Sequence, residues 1–186
     1  WLGTSSGNVI RSVDGGRSWT TMTRLDDDVT ALLISNADSR IVFAGTKTNG
    51  MNRTTDSGVT WTNFEKTLKD FKSSDRVYGF AQNGDGSFIL MNTKYGLLSS
   101  SDNGVTWSGI SLISSSGEVR IYGIALAPES SDIIYYATDS TLNRSTSAGS
   151  AWTTSELPST RAGFVLMVDP EDSTHVYLGS AAVEEK

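Results

Sequence analysis

Three aspartates recur in the same eight-residue setting, and a repeated carboxylate could serve catalysis or calcium binding. Asp14, Asp56 and Asp102 each lie two residues after a Ser or Thr and five residues before a Trp. A fourth copy of the motif has Ser147 in place of the aspartate. Serine keeps a hydrogen-bond acceptor but loses the charge, which a catalytic carboxylate would not tolerate. We therefore interpret the three aspartates as structural.

A second set of side chains could bind an anionic partner, because Arg and Lys pair with carboxylates and Arg does so in bidentate fashion. These residues stand before the most apolar strands and in the turns after the next strands, and they are Arg76, Arg120, Arg161, Lys47, Lys94 and Tyr95. On a chain with a formal net charge of −6, such a cluster would stand out as a docking patch for a carboxylate-bearing segment. The alternative is that they are ordinary solvated charges at strand ends.

Other catalytic or metal chemistry has little to build on. His175 is the only histidine and the chain has no cysteine, so neither a Ser-His-Asp triad nor a His-based or thiolate metal site is expected. We predict no metal and no cofactor. Asp26, Asp27 and Asp28 form an acidic run that is either a calcium-binding loop or a solvated turn.

The aspartate motif is one part of an internal repeat. The pattern Ser/Thr-x-Asp-x-Gly-x-x-Trp, here called the box turn, occurs four times, and its tryptophans lie 42, 46 and 45 residues apart. Its signature residues are Ser12, Asp14, Gly16 and Trp19; Thr54, Asp56, Gly58 and Trp61; Ser100, Asp102, Gly104 and Trp107; and Ser145, Gly149 and Trp152 in the degenerate copy. This spacing is typical of one blade of a β-propeller, which has four strands in about 40–50 residues.

Short apolar strands repeat in phase with the box turns. A strand such as 41–46 precedes each box turn, and a more apolar strand such as 29–34 precedes that one. A continuous apolar run is typical of a buried inner strand. The predicted unit is therefore inner strand, second strand, third strand, box turn and outer strand. The fold class is all-β, a β-propeller of four-stranded antiparallel blades with about four blades present.

We predict a single propeller domain or arc made of successive repeats. The repeats cover approximately residues 1–28, 29–76, 77–120 and 121–161, and residues 162–186 start or complete a further blade. Three arrangements are open: a four-bladed ring closed by the termini, part of a larger ring, or a homo-oligomer in which a second copy completes the ring. We favour the larger ring, because an open arc exposes strand edges that proteins usually cover.

Each signature residue of the box turn has a structural task. The aspartate can accept hydrogen bonds from backbone N–H groups of its own turn. The glycine can adopt the left-handed conformation without a Cβ clash. The tryptophan is expected to project between sheets and bury about 150–250 Å².

The box turns and their spacing resemble the BNR/Asp-box propellers over essentially the whole chain. That group includes sialidases, family 74 xyloglucanases, the sortilin/Vps10 luminal domain and the photosystem II stability/assembly-factor-like propellers. The last group is the most similar, because its repeats show the same succession of apolar strand, Gly-Thr, Arg-Ser, Asp-Gly-Gly and Trp as residues 3–19. The resemblance implies a propeller fold and, for this group, docking of partners through an arginine patch.

The catalytic patterns of the enzymes in this group are not found. The resemblance to sialidases would imply an arginine triad, a Tyr–Glu pair and an acid/base aspartate, introduced by an Arg-Ile-Pro segment; none of the three prolines follows an Arg-Ile pair. No carboxylate pair of the xyloglucanase kind stands out. We expect a non-enzymatic propeller that binds a protein or peptide. The alternative is a glycan-binding or glycoside hydrolase fragment. Tyr78 and Tyr122 are assigned to packing between blades.

Composition limits the partners further. The acidic net charge argues against a nucleic-acid partner. No run approaches the roughly 20 apolar residues that cross a bilayer, so no membrane span is expected. An extracytoplasmic or secreted location is expected. Asn52 and Asn143 stand in N-glycosylation sequons, which a chain rich in Ser and Thr also produces by chance.

Overall fold

The computed structural model describes residues 1–182, and every regular element in that range is a β-strand. These strands form five antiparallel sheets that follow one another along the chain, and within each sheet consecutive strands pair. The described residues contain no helix that could cross a membrane. The all-β fold predicted from the sequence is confirmed.

The strands have the following bounds. The first sheet contains β1 (Leu2–Gly3), β2 (Asn8–Arg11) and β3 (Thr20–Arg24). The second contains β4 (Val29–Ile34), β5 (Val42–Thr46), β6 (Met51–Thr54) and β7 (Thr62–Asn63). The third contains β8 (Val77–Gln82), β9 (Ile89–Thr93), β10 (Leu97–Ser100) and β11 (Ser108–Gly109). The fourth contains β12 (Gly123–Ala127), β13 (Ser130–Ala137), β14 (Thr141–Thr146) and β15 (Thr153–Glu156). The fifth contains β16 (Ala162–Val168) and β17 (Val176–Ala181).

The box turns occupy the same place in every sheet that contains one. Residues 54–61 join the third strand β6 to the outer strand β7, and residues 100–107 join β10 to β11 in the same way. The predicted order of inner, second, third and outer strand is observed in the second, third and fourth sheets. In the described range the first sheet has no inner strand, and the fifth has only its inner and second strands. Residues 183–186 of the last predicted repeat lie outside the described residues.

In the second and third sheets the second strand is more buried than the inner strand, which the apolar runs did not predict. Every residue of β5 and β9 is buried, whereas β4 and β8 are mostly half-buried. The inner strands of successive sheets pack side by side. An inner strand stands at the edge of its sheet, whereas a second strand has a paired strand on either side. In these two sheets, position within the sheet therefore decides burial more than apolar content does.

The apolar core lies between sheets. The largest cluster joins the second and third sheets and includes Phe43, Met51 and Met91. A second cluster joins the third and fourth sheets around Leu90 and Ile134. A third, smaller cluster joins the fourth and fifth sheets. Each fully buried aliphatic side chain stabilises the fold by about 1.5–3 kcal/mol, so neighbouring sheets depend on one another for stability.

The tryptophans of the box turns are not equally buried, which corrects the expectation that each fills a gap between sheets. Trp107 is 8% exposed and belongs to the cluster between the second and third sheets. Trp61 packs edge-on against Trp1 of the first sheet, with ring centres 6.3 Å apart. Trp19 is 46% exposed. The reason is its position, because each box turn packs on the preceding sheet and no sheet precedes the first one among residues 1–182.

The two ends of the arc do not join. Within residues 1–182, β1 pairs with β2 alone and β16 pairs with β17 alone. The described residues therefore contain no strand pairing between the termini, which the four-bladed ring, one of the three arrangements considered from the sequence, would need.

Both N-glycosylation sequons lie inside strands. Asn52 of β6 is 6% exposed and Asn143 of β14 is 2% exposed. The Asn143 side chain donates to Thr141 Oγ1 (3.0 Å) and accepts a hydrogen bond from the Thr154 hydroxyl (2.8 Å). Neither amide nitrogen can carry a glycan while these strands are packed.

Candidate functional site

The inner strands of the second, third and fifth sheets share a local irregularity that turns one side chain out of the regular alternation. The ladder shifts register between Val29 and Ala31 in β4 and between Val77 and Gly79 in β8. A matching shift occurs in β16 around Phe164. β-bulges of this kind re-aim a side chain and recur next to functional sites. The bulged residues are Thr30, Tyr78 and Phe164.

An arginine is held between two aromatic rings that come from different sheets. The Arg120 guanidinium lies 5.2 Å from the centre of the Tyr78 ring and 4.8 Å from the centre of the Tyr122 ring. Tyr122 in turn meets Phe164 edge-on, with ring centres 4.9 Å apart. We call these four residues the rim cluster. It joins the inner strands of the third and fifth sheets with the segment just before β12.

The rim cluster carries an unneutralised positive charge. Arg120 is exposed, and no carboxylate of the described residues lies within 4.0 Å of its guanidinium. It lines a cavity of about 210 Å³ together with Glu118, Val119, Tyr122 and Asp139. Stacking on tyrosine faces fixes the guanidinium plane and leaves its N–H donors available. This arrangement can bind a carboxylate.

Three of the predicted basic residues are linked by hydrogen bonds to backbone carbonyl groups. Arg76 Nε donates to the carbonyl oxygen of Lys47 (3.2 Å), and the Lys94 N–H donates to the carbonyl oxygen of Arg76 (2.9 Å). Lys47 itself pairs with Asp28, at 3.2 Å from Nζ to Oδ2. The Lys47 charge is therefore neutralised, whereas Arg76 has no carboxylate within 4.0 Å in the described chain.

Arg161 and Tyr95 have different surroundings. Arg161 is exposed directly before β16, the position that Arg76 holds before β8. Tyr95 does not join the rim cluster, because its ring packs edge-on against Phe71 at 5.3 Å and lies close to Gly109. Its half-buried ring belongs to the apolar cluster between the second and third sheets. Of the predicted patch, Arg120 is thus the residue whose guanidinium is held by neighbouring aromatic side chains.

The acidic run at residues 26–28 holds a neighbouring turn. The Asp27 carboxylate accepts hydrogen bonds from the backbone N–H groups of Thr48 (2.6 Å) and Asn49 (3.0 Å). Burial acts to raise the pKa of Asp27, but hydrogen bonds from Thr48 and Asp28 outweigh it and lower the pKa. No group of three His, Cys, Asp or Glu side chains among the described residues is placed to hold a metal.

The three complete box turns share one hydrogen-bond pattern. In the first, Asp14 Oδ1 accepts from the Ser18 N–H (2.9 Å) and from the Ser12 hydroxyl (2.8 Å), while Oδ2 accepts from the Ser18 hydroxyl (2.6 Å). The Gly16 N–H donates to Ser12 Oγ (2.8 Å). The bonds from Ser18 and Ser12 lower the pKa of Asp14 to about 2. A carboxyl that is so acidic and so fully engaged is a structural acceptor and not a general acid.

The other two aspartates behave in the same way. Hydrogen bonds from Thr60 and Thr54 lower the pKa of Asp56 to about 2. Burial acts to raise the pKa of Asp102, but bonds from Thr106 and Ser100 bring it to about 2.

The degenerate fourth box turn keeps the backbone bonds, since the Gly149 N–H still donates to Ser145 Oγ (2.9 Å), and loses the hydroxyl bond to the second carboxylate oxygen. Ser147 Oγ accepts from the Ala151 N–H (3.0 Å), which replaces the aspartate bond. A hydroxyl follows each aspartate by four residues in the complete copies, and Ala151 stands at that position here. Trp152 Nε1 donates to the Ser111 carbonyl (2.7 Å), whereas the other three tryptophans donate to the glycine carbonyl of their own turn.

Several features of the site were missed from the sequence. Tyr78 and Tyr122 were assigned to packing between blades, but the Arg120 guanidinium also lies over both of their rings. The signal was present as the matching segments 76–79 and 120–123, each with Arg, an aliphatic residue, Tyr and Gly. A larger cavity of about 500 Å³ was not predicted either; its lining residues are Gly50, Glu65, Lys66, Leu68, Lys69, Ser73, Ser74 and Asp75.

Comparison with known proteins shows the fold. No protein-family model matches the chain, and no curated protein sequence matches it. Among solved structures, a GH74 enzyme of Niastella koreensis superposes with a TM-score of 0.77 at 14% identity, covering 96% of this chain and 33% of that one. YCF48 bound to D1 peptide gives 0.65 at 16% identity, covering 97% and 63%. A nidogen/laminin complex gives 0.69 at 13% identity, covering 97% and 69%.

The chain thus spans about a third of the length of the GH74 enzyme that it resembles. Identities this low show the fold alone. The five consecutive antiparallel sheets and these neighbours confirm that the chain has β-propeller architecture.

Proposed function

We propose that this chain is a non-enzymatic propeller module that binds a protein or peptide through a carboxylate of the partner, with Arg120 as the central contact. The observation that carries the proposal is the geometry of Arg120, which lies between two tyrosine rings and has no carboxylate within 4.0 Å in the described chain. An arginine held in this way loses little further entropy when it forms a bidentate pair.

Two further observations support the proposal. The chain is acidic overall, with a net charge of −6. The rest of the surface therefore repels acidic segments, and a basic cluster is the place that attracts them. YCF48, one of the structural neighbours, was solved with D1 peptide bound. Arg76 and Arg161 stand directly before β8 and β16, the inner strands on either side of β12, and add positive charge at the starts of these strands.

The proposal is tested with an array of immobilised peptides in which every acidic sequence is paired with its amide counterpart, Asp to Asn and Glu to Gln. We expect the protein to select sequences that lose binding on amidation, and Arg120→Glu to weaken that binding about tenfold or more. Arg40→Glu is the matched control, because Arg40 is exposed but already paired with Asp38. Equal binding by the Arg120→Glu variant and the parent protein would overturn the proposal.

A second candidate is glycan binding or glycoside hydrolysis. Glu118 and Asp139 line the same cavity as Tyr122, and GH74 enzymes are among the structural neighbours. Glycosidases use two carboxyl groups about 5–10 Å apart. Hydrolysis of xyloglucan that is lost in Glu118→Gln and in Asp139→Asn would favour this function, and no hydrolysis by the parent protein would count against it.

A further inference from the structure

A cross-strand pair on the second sheet faces the box turn of the third sheet. Phe43 of β5 lies directly opposite Arg53 of β6. A Cβ added at Gly104, inside the next box turn, would overlap the Phe43 ring. Met51, which shares a face of β6 with Arg53, belongs to the same apolar cluster as Trp107. Arg53 therefore stands beside the box turn that contains Asp102.

The first sheet repeats this arrangement. The register of β1 and β2 continues to Trp1 and Arg11, and the Arg11 guanidinium lies 5.4 Å from the Trp1 ring centre. Trp1 packs against Gly58 and edge-on against Trp61, both in the box turn of the second sheet. An aromatic–arginine pair thus meets an aspartate-bearing box turn for the second time.

The third sheet departs from the pattern on both sides of the interface. Leu90 of β9 lies opposite Ser99 of β10, where the other sheets have an aromatic residue and an arginine. The box turn of the fourth sheet, which packs on this side of the third, carries Ser147 in place of aspartate. The cation and the anion that would face each other are therefore replaced together.

We propose that the aromatic–arginine pair of one sheet is a recognition surface for an aspartate-bearing box turn on the next sheet. The ring packs on the glycine of the turn, and the guanidinium attracts the aspartate across the sheet interface. Arg53 Nε is buried and has no hydrogen-bond partner among residues 1–182. The Arg53 guanidinium lies 5.9 Å from the Phe64 ring centre and has no carboxylate of the described residues within 4.0 Å, so the Asp102 charge acts on it from a longer distance. Burial lowers the pKa of Arg53, and the Asp102 carboxylate acts in the opposite direction.

The fourth sheet presents the same surface. Tyr135 lies opposite Arg144, whose guanidinium is 5.8 Å from the ring centre, and Arg144 Nε donates to the Tyr135 hydroxyl (2.9 Å). Arg144 is exposed, and the described part of the fifth sheet contains no box turn. The pattern assigns an aspartate-bearing box turn as the partner of this surface.

A double-mutant cycle tests the occupied surface. Arg53→Ser, Asp102→Ser and the double variant are compared by thermal unfolding in about 20 mM and about 1 M salt. We expect the double variant to lose less than the sum of the single losses, by roughly 1–3 °C in Tm at low salt, and the difference to shrink at high salt. The control cycle pairs Arg144→Ser with Asp102→Ser and should be additive. Additivity of the Arg53 cycle at low salt would overturn the proposal.

A transplant guards against single variants that fail to fold. Ser99→Arg is combined with Ser147→Asp and Ala151→Thr, which rebuild the missing cation, anion and hydroxyl between the third and fourth sheets. We expect Ser99→Arg to raise Tm by more in the chain that carries Ser147→Asp and Ala151→Thr than in the parent chain. An equal effect in both backgrounds counts against the proposal.

The open surface is tested by appending a second copy of residues 51–63 after Lys186 of the full chain. Arg144→Ser should then lower Tm by more in the extended chain than in the parent. Changing the appended aspartate to serine should remove that difference. Equal losses in the two chains would overturn the assignment of this surface.

Discussion

The Arg120 guanidinium lies 4.8 Å from the centre of the Tyr122 ring. A cation on an exposed aromatic face gains about 0.5–1 kcal/mol, and an aromatic pair such as Tyr122 with Phe164 about 0.5–1.5 kcal/mol. We therefore expect Tyr122→Leu to lower the free energy of unfolding by about 1–2.5 kcal/mol and Arg120→Met by less. Urea unfolding measures both, with the exposed Arg17→Met as control. A larger loss in Arg120→Met than in Tyr122→Leu would contradict this account.

Two glycines with similar backbone angles should respond very differently to alanine. Gly15 has φ +72° and an added Cβ would meet nothing within 4 Å, whereas Gly104 has φ +74° and its Cβ would overlap the Phe43 ring. Gly15→Ala incurs only the left-handed strain, about 1 kcal/mol. Gly104→Ala adds overpacking between sheets and should cost about 2–4 kcal/mol. Chemical denaturation of the two variants would refute the packing argument if their losses were equal.

Removal of the tryptophans should show the same dependence on the preceding sheet. Trp107 is 8% exposed and Trp19 is 46% exposed. Trp107→Ala should destabilise by about 3–5 kcal/mol and Trp19→Ala by about 1–2 kcal/mol. Thermal and urea unfolding of both variants provide the check, and similar losses would show that Trp19 is packed in solution.

Acid should destabilise the chain through the box turns. Hydrogen bonds from Ser18, Thr60 and Thr106, working against burial at Asp102, give Asp14, Asp56 and Asp102 pKa values of about 2. Unfolded aspartate has a pKa near 3.9. A lowered folded-state pKa stabilises the fold above the unfolded value, and that contribution is lost as pH falls through the folded value.

Tm should therefore stay level above about pH 5 and fall between about pH 4 and pH 2. Carbon-13 carboxyl shifts of the three aspartates, followed by NMR, identify the groups responsible. Midpoints near 4 would contradict the hydrogen-bonded geometry.

Glycosylation should be incompatible with the folded strands. Asn143 is 2% exposed and bonded on both sides of its amide. Protein that is secreted from a glycosylating host and isolated in its folded form should show no added glycan mass on the peptides that contain Asn52 and Asn143. A glycan at either site on a protein with the parent Tm would contradict the placement of that strand.

The sequence by itself determined the hairpins and their order. Ser12, Asp14 and Gly16 complete their hydrogen bonds within one eight-residue turn, so the motif carries its own structure wherever it occurs. Regular recurrence of that turn then placed the strands and indicated the propeller. The basic residues were identified from the sequence, but among them only Arg120 has a guanidinium held by neighbouring aromatic rings.

Only the tertiary structure decided which residues meet. Tyr78 and Phe164 lie in two different inner strands and Arg120 lies just before a third, and no local pattern specifies how sheets are set against one another. The same holds for Trp19 and Trp107, which occupy identical turns but differ in exposure because only one has a sheet to pack on. Hydrogen bonds within a turn depend on neighbours in sequence, whereas burial and charge pairing depend on neighbours in space.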